Sequence, residues 1–385
     1  MKNTKREFLK GVGFGAAGLF AAAAGTSLDA AEAKAGAKSG AFFNVQDFGA
    51  KGDGKTSDSP AIQKALDAAG EVSGTVYFPA GKYLCKDLKV HRNTALLAEP
   101  KWAYRGDGGA MLILEDENAS CVLDITRAYG VHICGLFLRG IKGAKKTIHG
   151  IYLNNPSVSP EEDCVVVDDC KIQNFSGHGL YLQRVWLFII RRNIMQSNGG
   201  CGVMLRGWDG FVMDNQFASN GSHGFGSEER VGTVKFTANR VEWNGGHGLH
   251  LNAGSTWNVT GNCFDRNWGA ALNAEDMKTL TITGNIFRRN GKDNSAVLPN
   301  EKSCQLRLVK CRGVTCVSNA AAAGRDDNNK GVYTPQVGMI LKELECAAIS
   351  LNTFFEGYTE TLLVDEGSHK GETYIEHNLG TAFNI

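Results

Sequence analysis

Nine times between residues 170 and 378 a short apolar stretch ends in Asn, or once in Cys: Cys170, Asn193, Asn215, Asn239, Asn262, Asn285, Asn319, Asn352 and Asn378. Through the centre of the chain the interval is 22 to 24 residues, and a second Asn usually follows five residues later, at Asn198, Asn220, Asn244, Asn267 and Asn290. A fixed period of this size marks a solenoid, in which each repeat is one supersecondary unit stacked on the next. About 23 residues accommodate three short strands and their turns. Phe188–Asn193, Ile194–Ser197 and Val203–Leu205 supply such a set. The expectation is therefore an all-β solenoid of about ten coils. Stacked Asn side chains would bond their neighbours above and below, satisfying amides buried at a turn. The intervals ending at Asn319 and Asn352 are 34 and 33 residues, so loops should protrude there.

Composition narrows the context. A formal net charge of +1 with mixed signs gives no electrostatic case for nucleic acid or for an anionic membrane. The 48 Gly and 7 Pro suit many tight turns, and eleven Cys, an odd number, exclude a complete disulfide framework. Cys170, Cys201, Cys263 and Cys316 fall in repeat strands or turns, where a small buried thiol is a natural filler. Residues 1–35 read as an export segment. Thr4-Lys5-Arg6-Glu7-Phe8-Leu9-Lys10 is similar to the twin-arginine motif with Lys5 in place of the first Arg, and a weakly apolar stretch runs from Gly11 to Ala24. That stretch is too short for a membrane span. Ala31-Glu32-Ala33 and Ala33-Lys34-Ala35 offer cleavage sites. The expected organisation is an export signal over 1–35, a linker over 36–42 and one β-helical domain over 43–385. The mature protein would then be periplasmic or extracellular, with no membrane anchor after signal removal. Twin-arginine export of a protein already folded in the reducing cytoplasm would suit a Cys-rich chain.

After the linker, Asn44-Val45-Gln46-Asp47-Phe48-Gly49-Ala50-Lys51-Gly52-Asp53-Gly54-Lys55-Thr56 precedes a helix pattern. Pro60 suits its first turn, Ile62, Ala65, Leu66 and Ala69 form an apolar stripe, and Gly70 reads as its stop. Gly74-Thr75-Val76-Tyr77-Phe78-Pro79-Ala80-Gly81-Lys82-Tyr83 then reads as a strand and a turn. Residues 44–84 together resemble the N-terminal segment of the pectate lyase superfamily, which includes polygalacturonases, rhamnogalacturonases, related epimerases and phage tailspikes. The resemblance implies a right-handed parallel β-helix. Its open end exposes unpaired strand edges, which the helix near residues 59–69 would cap.

With the ladder as a ruler, a second column appears eight residues further on. The aligned segments are Ile148-His149-Gly150-Ile151-Tyr152-Leu153, Gly177-His178-Gly179-Leu180-Tyr181-Leu182, Gly200-Cys201-Gly202-Val203-Met204-Leu205, Ser222-His223-Gly224-Phe225 and Gly246-His247-Gly248-Leu249-His250-Leu251. Four of the nine His thus share one position, with Cys201 in the gap. Two residues past the following Gly, where strand alternation points side chains outward, stand Tyr152, Tyr181, Met204, Gly226, His250 and Asn273. The resemblance implies that this strand and its flanking loops form a saccharide groove. Polygalacturonases carry catalytic Asp residues here, whereas Asp168-Asp169 lies on the strand entering the ladder, out of phase with the groove.

Two chemistries suit this face. For β-elimination on a uronic acid, a cation must neutralise the carboxylate while a base takes the adjacent, weakly acidic proton. His178, Tyr181, His247, His250, Arg206 and Arg230 are the candidate catalytic residues for that reaction. His149, Tyr152, His223, Trp208, Glu228, Glu229, Asn273 and Asp276 are candidates for substrate binding. For hydrolysis, Glu228 or Glu229 would pair with Glu275 or Asp276 across two coils, about 10 Å apart. Each feature also has a structural reading: the His as turn elements bonded to backbone in the next coil, the Tyr as cross-strand stacks, and Glu228-Glu229-Arg230 as a solvated charge run. The resemblance leaves calcium open, because some superfamily members use it, but no tight acidic cluster specifies a site. The expected function is that of an exported enzyme acting on an acidic polysaccharide, with lyase chemistry preferred over hydrolase or transferase chemistry. A non-catalytic glycan-binding or tailspike-like protein is the reading from another class. A monomer or a homotrimer fits, and in the inulin fructotransferases of this fold the site lies between subunits.

Overall fold

The structure is a computed structural model that describes residues 41–292, 303–325 and 331–384. The export segment expected at 1–35 and the linker up to residue 40 lie outside the described residues. Within them, all strand pairings are parallel and form two sheets, one of twenty strands and one of thirteen. Chain neighbours in the narrower sheet are one coil apart, which is the arrangement of a parallel β-helix. Among the described residues no helix is long and apolar enough to cross a membrane.

Of the thirteen strands, nine follow directly on the Asn and Cys positions, from Lys171–Gln173 to Leu379–Ala382. Four precede them, at Asp53–Ser57, Gly81–Cys85, Ala110–Leu114 and Phe137–Arg139. The solenoid is therefore longer than the ladder, because its first levels carry no Asn marker. In the twenty-stranded sheet, the segments Leu180–Arg191, Val203–Met213, Leu249–Thr260 and Leu272–Thr283 are long strands that turn a corner. The corner is made by residues in the left-handed region, such as Arg184, Ala253 and Asp276 (φ 61, 54 and 50°). Each long strand consequently contributes to two faces of the solenoid.

The ladder is a hydrogen-bond stack. Asn215 Oδ1 accepts from both the backbone N–H and the Nδ2 of Asn193, at 3.0 Å each, while Asn215 Nδ2 donates to the Ile190 carbonyl at 2.8 Å. The pattern repeats through Asn239, Asn262, Asn285, Asn319 and Asn352 to Asn378. The second series ends when Asn290 Nδ2 meets Gln305 Oε1 at 2.9 Å. Inside, one continuous apolar core runs from Val45 to Phe354.

The helix Ser59–Val72 buries Ile62, Ala65, Leu66 and Ala69 against the first coils, as its stripe requires. It does not stop at Gly70. It continues to Val72 and is closed by Ser73 in the left-handed conformation, whose N–H bonds the Ala69 carbonyl. Gly70 serves close approach instead, since a Cβ there would lie 2.6 Å from the His91 Cβ. The acidic residues of the N-terminal motif are structural: Asp58 accepts from the N–H groups of Lys51 and Gly52, and Asp53 from those of Lys55 and Thr56.

Candidate functional site

The outward column follows the register expected from the ladder. Tyr152 pairs with Tyr181, Tyr181 with Met204, Met204 with Gly226, Gly226 with His250 and His250 with Asn273. The structure extends it to Asp124 on one side and Arg307 on the other. A parallel outward row two residues on contains Asn154, Gln183 and Arg206, with Glu228 next to Arg206, then Asn252 and Glu275. The face is therefore a polar floor with a charged flank. Gly226 has no side chain, and Met204, Cys201 and His223 close over it, within 3.5 Å of where a Cβ would lie.

The four column histidines do one structural job each. The backbone N–H of His178 donates to His149 Nδ1 at 3.1 Å, and that of Cys201 to His178 Nδ1 at 2.8 Å. The N–H of His247 donates to His223 Nδ1 and that of Ala270 to His247 Nδ1, both at 2.9 Å. A backbone amide has only a proton to give, so every Nδ1 is an acceptor and each neutral ring carries its proton on Nε2. Burial depresses the pKa of His149 and His178 to about 4 and that of His223 to about 3. At neutral pH these rings are uncharged and have no lone pair to spare. In His178 and His247, expected to act as bases, Nδ1 is thus occupied by a backbone N–H, which makes both rings turn elements.

His250 reaches the same state by another route. Arg307 Nη1 donates to Asn273 Oδ1 at 3.0 Å, which turns the Asn273 amide nitrogen toward His250 Nδ1 at 2.9 Å. An arginine has no acceptor, so it fixes the amide orientation, and the amide in turn fixes the imidazole with its proton on Nε2. Burial lowers the His250 pKa as well. Arg307 also approaches Glu275 at 3.5 Å.

The aromatic rings form two stacks along the axis. Tyr181 packs on His149 with centroids 4.7 Å apart and on Tyr152 at 5.5 Å, while His250 packs on His223 at 4.5 Å. Tyr152 Oη accepts from Asn154 Nδ2 at 3.0 Å. Tyr181 is half-buried, and burial raises its pKa, with smaller influences from Tyr152, Arg184, Glu228 and Arg206. Its hydroxyl is accordingly protonated at neutral pH and lies within the field of those three charged side chains.

Arg206 reaches Glu229 at 3.1 Å, with its Nε buried and without a protein partner. Glu228 is exposed beside it. The structure thus gathers Tyr152, Tyr181, His250, Asn273, Arg206 and Glu228 on one face, with His149, His178, His223 and His247 behind them and Glu229 at the rim. It places Arg230, Trp208 and Asp276 elsewhere. Those three line a separate depression of about 380 Å³ with Ser255 and Lys278, beyond the corner of the long strands. Among the described residues no group of three or more His, Cys, Asp or Glu converges as a metal-ligand set.

Similarity to known proteins agrees with this architecture. Residues 42–104 match the family model described as rhamnogalacturonase A/epimerase, pectate lyase-like, and residues 179–333 match that of the right-handed beta helix region. The fold and these matches define the class: a right-handed parallel β-helix whose N-terminal segment is similar to the pectate lyase-like family. Alginate lyase 7 of Azotobacter vinelandii is 30% identical over 197 residues, which is 48% of this chain and 23% of the relative. Mannuronan C5-epimerase AlgE4 of the same organism is 29% identical, over 48% of this chain and 35% of the relative. The chain thus spans only about a quarter to a third of the length of these relatives. Among solved structures, PfbA, a surface adhesin of Streptococcus pneumoniae, superposes with a TM-score of 0.69 at 16% identity, covering 88% of this chain and 91% of that one. The AlgE6 A-module of Azotobacter vinelandii gives 0.58 at 20% identity, with 86% and 98% covered. At these identities the superpositions carry the fold alone.

Proposed function

We propose that the Tyr181–His250 face binds an acidic polysaccharide of the alginate type and removes the proton at C5 of a uronate residue. The observation that carries this reading is the groove's division of labour. The Nδ1 atoms of its imidazoles are taken up by N–H donors and its phenols keep their protons, while Glu228 is an exposed carboxylate beside an arginine whose Nε has no protein partner. In this reading Arg206 faces the uronate carboxylate and offsets the charge that spreads into it as the C5–H bond breaks. Glu228 accepts the proton. Two outcomes then divide at Tyr181. If its hydroxyl protonates the departing C4 oxygen, the C4–O bond breaks and a C4=C5 double bond forms, which is elimination. If it instead returns a proton to the opposite face of C5, the product is the epimer and the chain stays intact. The relatives named alginate lyase and mannuronan C5-epimerase support both outcomes for this chain. Export through the segment at 1–35 belongs to the same reading, since the polymer lies outside the cell.

Incubating the full chain with polymannuronate in deuterated water tests the reading and separates its branches. Elimination yields ultraviolet-absorbing unsaturated ends, and epimerisation yields deuterium at C5 without chain cleavage. Glu228→Gln should reduce either rate at least about a hundredfold, the scale of general acid–base catalysis. Tyr181→Phe should reduce product formation with little change in KM. Saturated reducing ends would overturn the proposal in favour of hydrolysis by Glu228 and Glu275, which stand two strand spacings apart (about 10 Å). Binding without any product would point to a glycan-binding protein.

A further inference from the structure

On the thirteen-stranded sheet, away from the groove, a segment with no regular structure crosses the outer face. Residues 98–109 leave the strand Ala95–Leu97 and return as Ala110–Leu114. Hydrogen bonds with much later coils hold them down. Lys171 Nζ donates to the carbonyls of Ala103 and Gly106 at 2.8 and 2.9 Å, Gln196 Nε2 to that of Tyr104 at 3.2 Å, and Trp102 Nε1 to that of Asp169 at 3.2 Å. Between this strap and the sheet lies a pocket of about 460 Å³.

Its lining is unusual for a structural crevice. Arg105, Arg139 and Lys171 face it with Asp107 as the sole acid, an excess of two positive charges. Asp107 is already engaged by Arg139 at 2.7 Å. The Arg139 Nε is buried and has no protein partner. Lys171 is only 1% exposed, lies 4.6 Å above the Phe137 ring and spends two of its three protons on the strap. Burying a lysine among apolar rings is costly unless something answers its charge, and no carboxylate is paired with it here. Gln173 Oε1 accepts from Gln196 at 2.7 Å, which leaves the Gln173 NH2 as a donor. Tyr104 contributes an aromatic face.

We infer that this strapped pocket is a second saccharide subsite, which takes a uronate residue of the polymer on a face separate from the reacting groove. Cations answer a carboxylate, amides and Ser197 answer ring hydroxyls, and a phenol ring gives a platform for a pyranose. The acid charge of the ligand distinguishes it from a neutral glycan, and the aromatic ring and amides distinguish it from a bare inorganic anion. A second anchor of this kind raises the effective concentration of a long substrate near the groove without touching the chemistry. The choice of ligand rests on the proposed function above; the existence of a second site does not need the groove to be catalytic.

Calorimetric titration of the full chain with an oligomannuronate tetrasaccharide is the test. The unaltered protein should bind two equivalents, and Arg206→Gln with Glu228→Gln should remove the groove equivalent. Arg105→Gln with Arg139→Gln should remove the other, by weakening it at least about tenfold. That double variant should keep its rate on the tetrasaccharide while KM for the polymer rises. Gln173→Glu, which repels a carboxylate without disturbing the strap, should have the same effect and decides the matter if the arginine variant unfolds. A single equivalent in the unaltered protein, two equivalents surviving in Gln173→Glu, or equal binding of a neutral tetrasaccharide or of sulfate at that pocket would each overturn the inference while leaving the groove's function intact. No binding at either place overturns both.

Discussion

The column histidines show how a residue type that commonly signals catalysis is used for construction. Each Nδ1 takes a backbone N–H from the next coil, so protonating that nitrogen would remove the acceptor and place a charge in a buried stack. The consequence for stability has a definite sign. In the folded chain His149, His178 and His223 hold pKa values of about 4, 4 and 3, below the ordinary 6.5. The unfolded chain therefore binds more protons between those values, and stability rises with pH across the window. The contribution is fully present above about 6.5 and is lost as pH falls toward 4 and then 3. The urea midpoint measured from pH 7 to pH 4 should fall, and the fall should be shallower in His178→Asn or His223→Asn. A flat profile in the unaltered protein would contradict the hydrogen-bond assignment.

At the scale of the element, the Asn ladder adds buried side-chain bonds to the backbone pairing that joins successive coils. Asn239 Oδ1 receives the N–H and the Nδ2 of Asn215, and Asn239 Nδ2 holds the Val212 carbonyl. Asn239→Ala removes four buried hydrogen bonds, these three and the one from Asn239 Nδ2 to Asn262 Oδ1, and at about 0.5–1.5 kcal/mol net per bond it should destabilise the protein by roughly 3 kcal/mol. Chemical denaturation of Asn239→Ala beside Asn378→Ala, at the end of the stack where Asn378 is only part-buried, gives the check. The terminal substitution should cost clearly less. Much of this element-level order was readable from the sequence, since a 23-residue period sets both the ladder and the outward column through Asn273. Arg307 was not readable: the interval after Asn285 is 34 residues, so a fixed offset lands in the insertion instead of on the strand Cys304–Val309. The split between Glu228 and the Arg230–Trp208–Asp276 group depends on left-handed residues at the corner, which no local residue preference announces. Imidazole tautomers depend on which amide arrives from the next coil, again a property of stacking.

For the molecule as a whole, the stacking decides what the cysteines can do. A β-helix interior is a column of flat, closely spaced layers, and thiols fill it as small apolar groups. Cys85, Cys170 and Cys316 lie deep in the core as thiols, while Cys164 and Cys346 are exposed. Burial raises the pKa of Cys201 and Cys311 to about 11 and that of Cys316 to about 12, so the nucleophilic thiolate is suppressed there. A thiol reagent added to native protein should therefore react rapidly at Cys164 and Cys346 and slowly elsewhere, whereas the denatured chain should titrate all eleven. Protein recovered from outside the cytoplasm should give the same two numbers, because the stacked layers shield the core thiols once the coils have closed. Any lasting deficit in the denatured count would mean that some cysteines pair before the solenoid forms. That result would place folding after export instead of before it, and so would remove the link between a reduced core and a twin-arginine route.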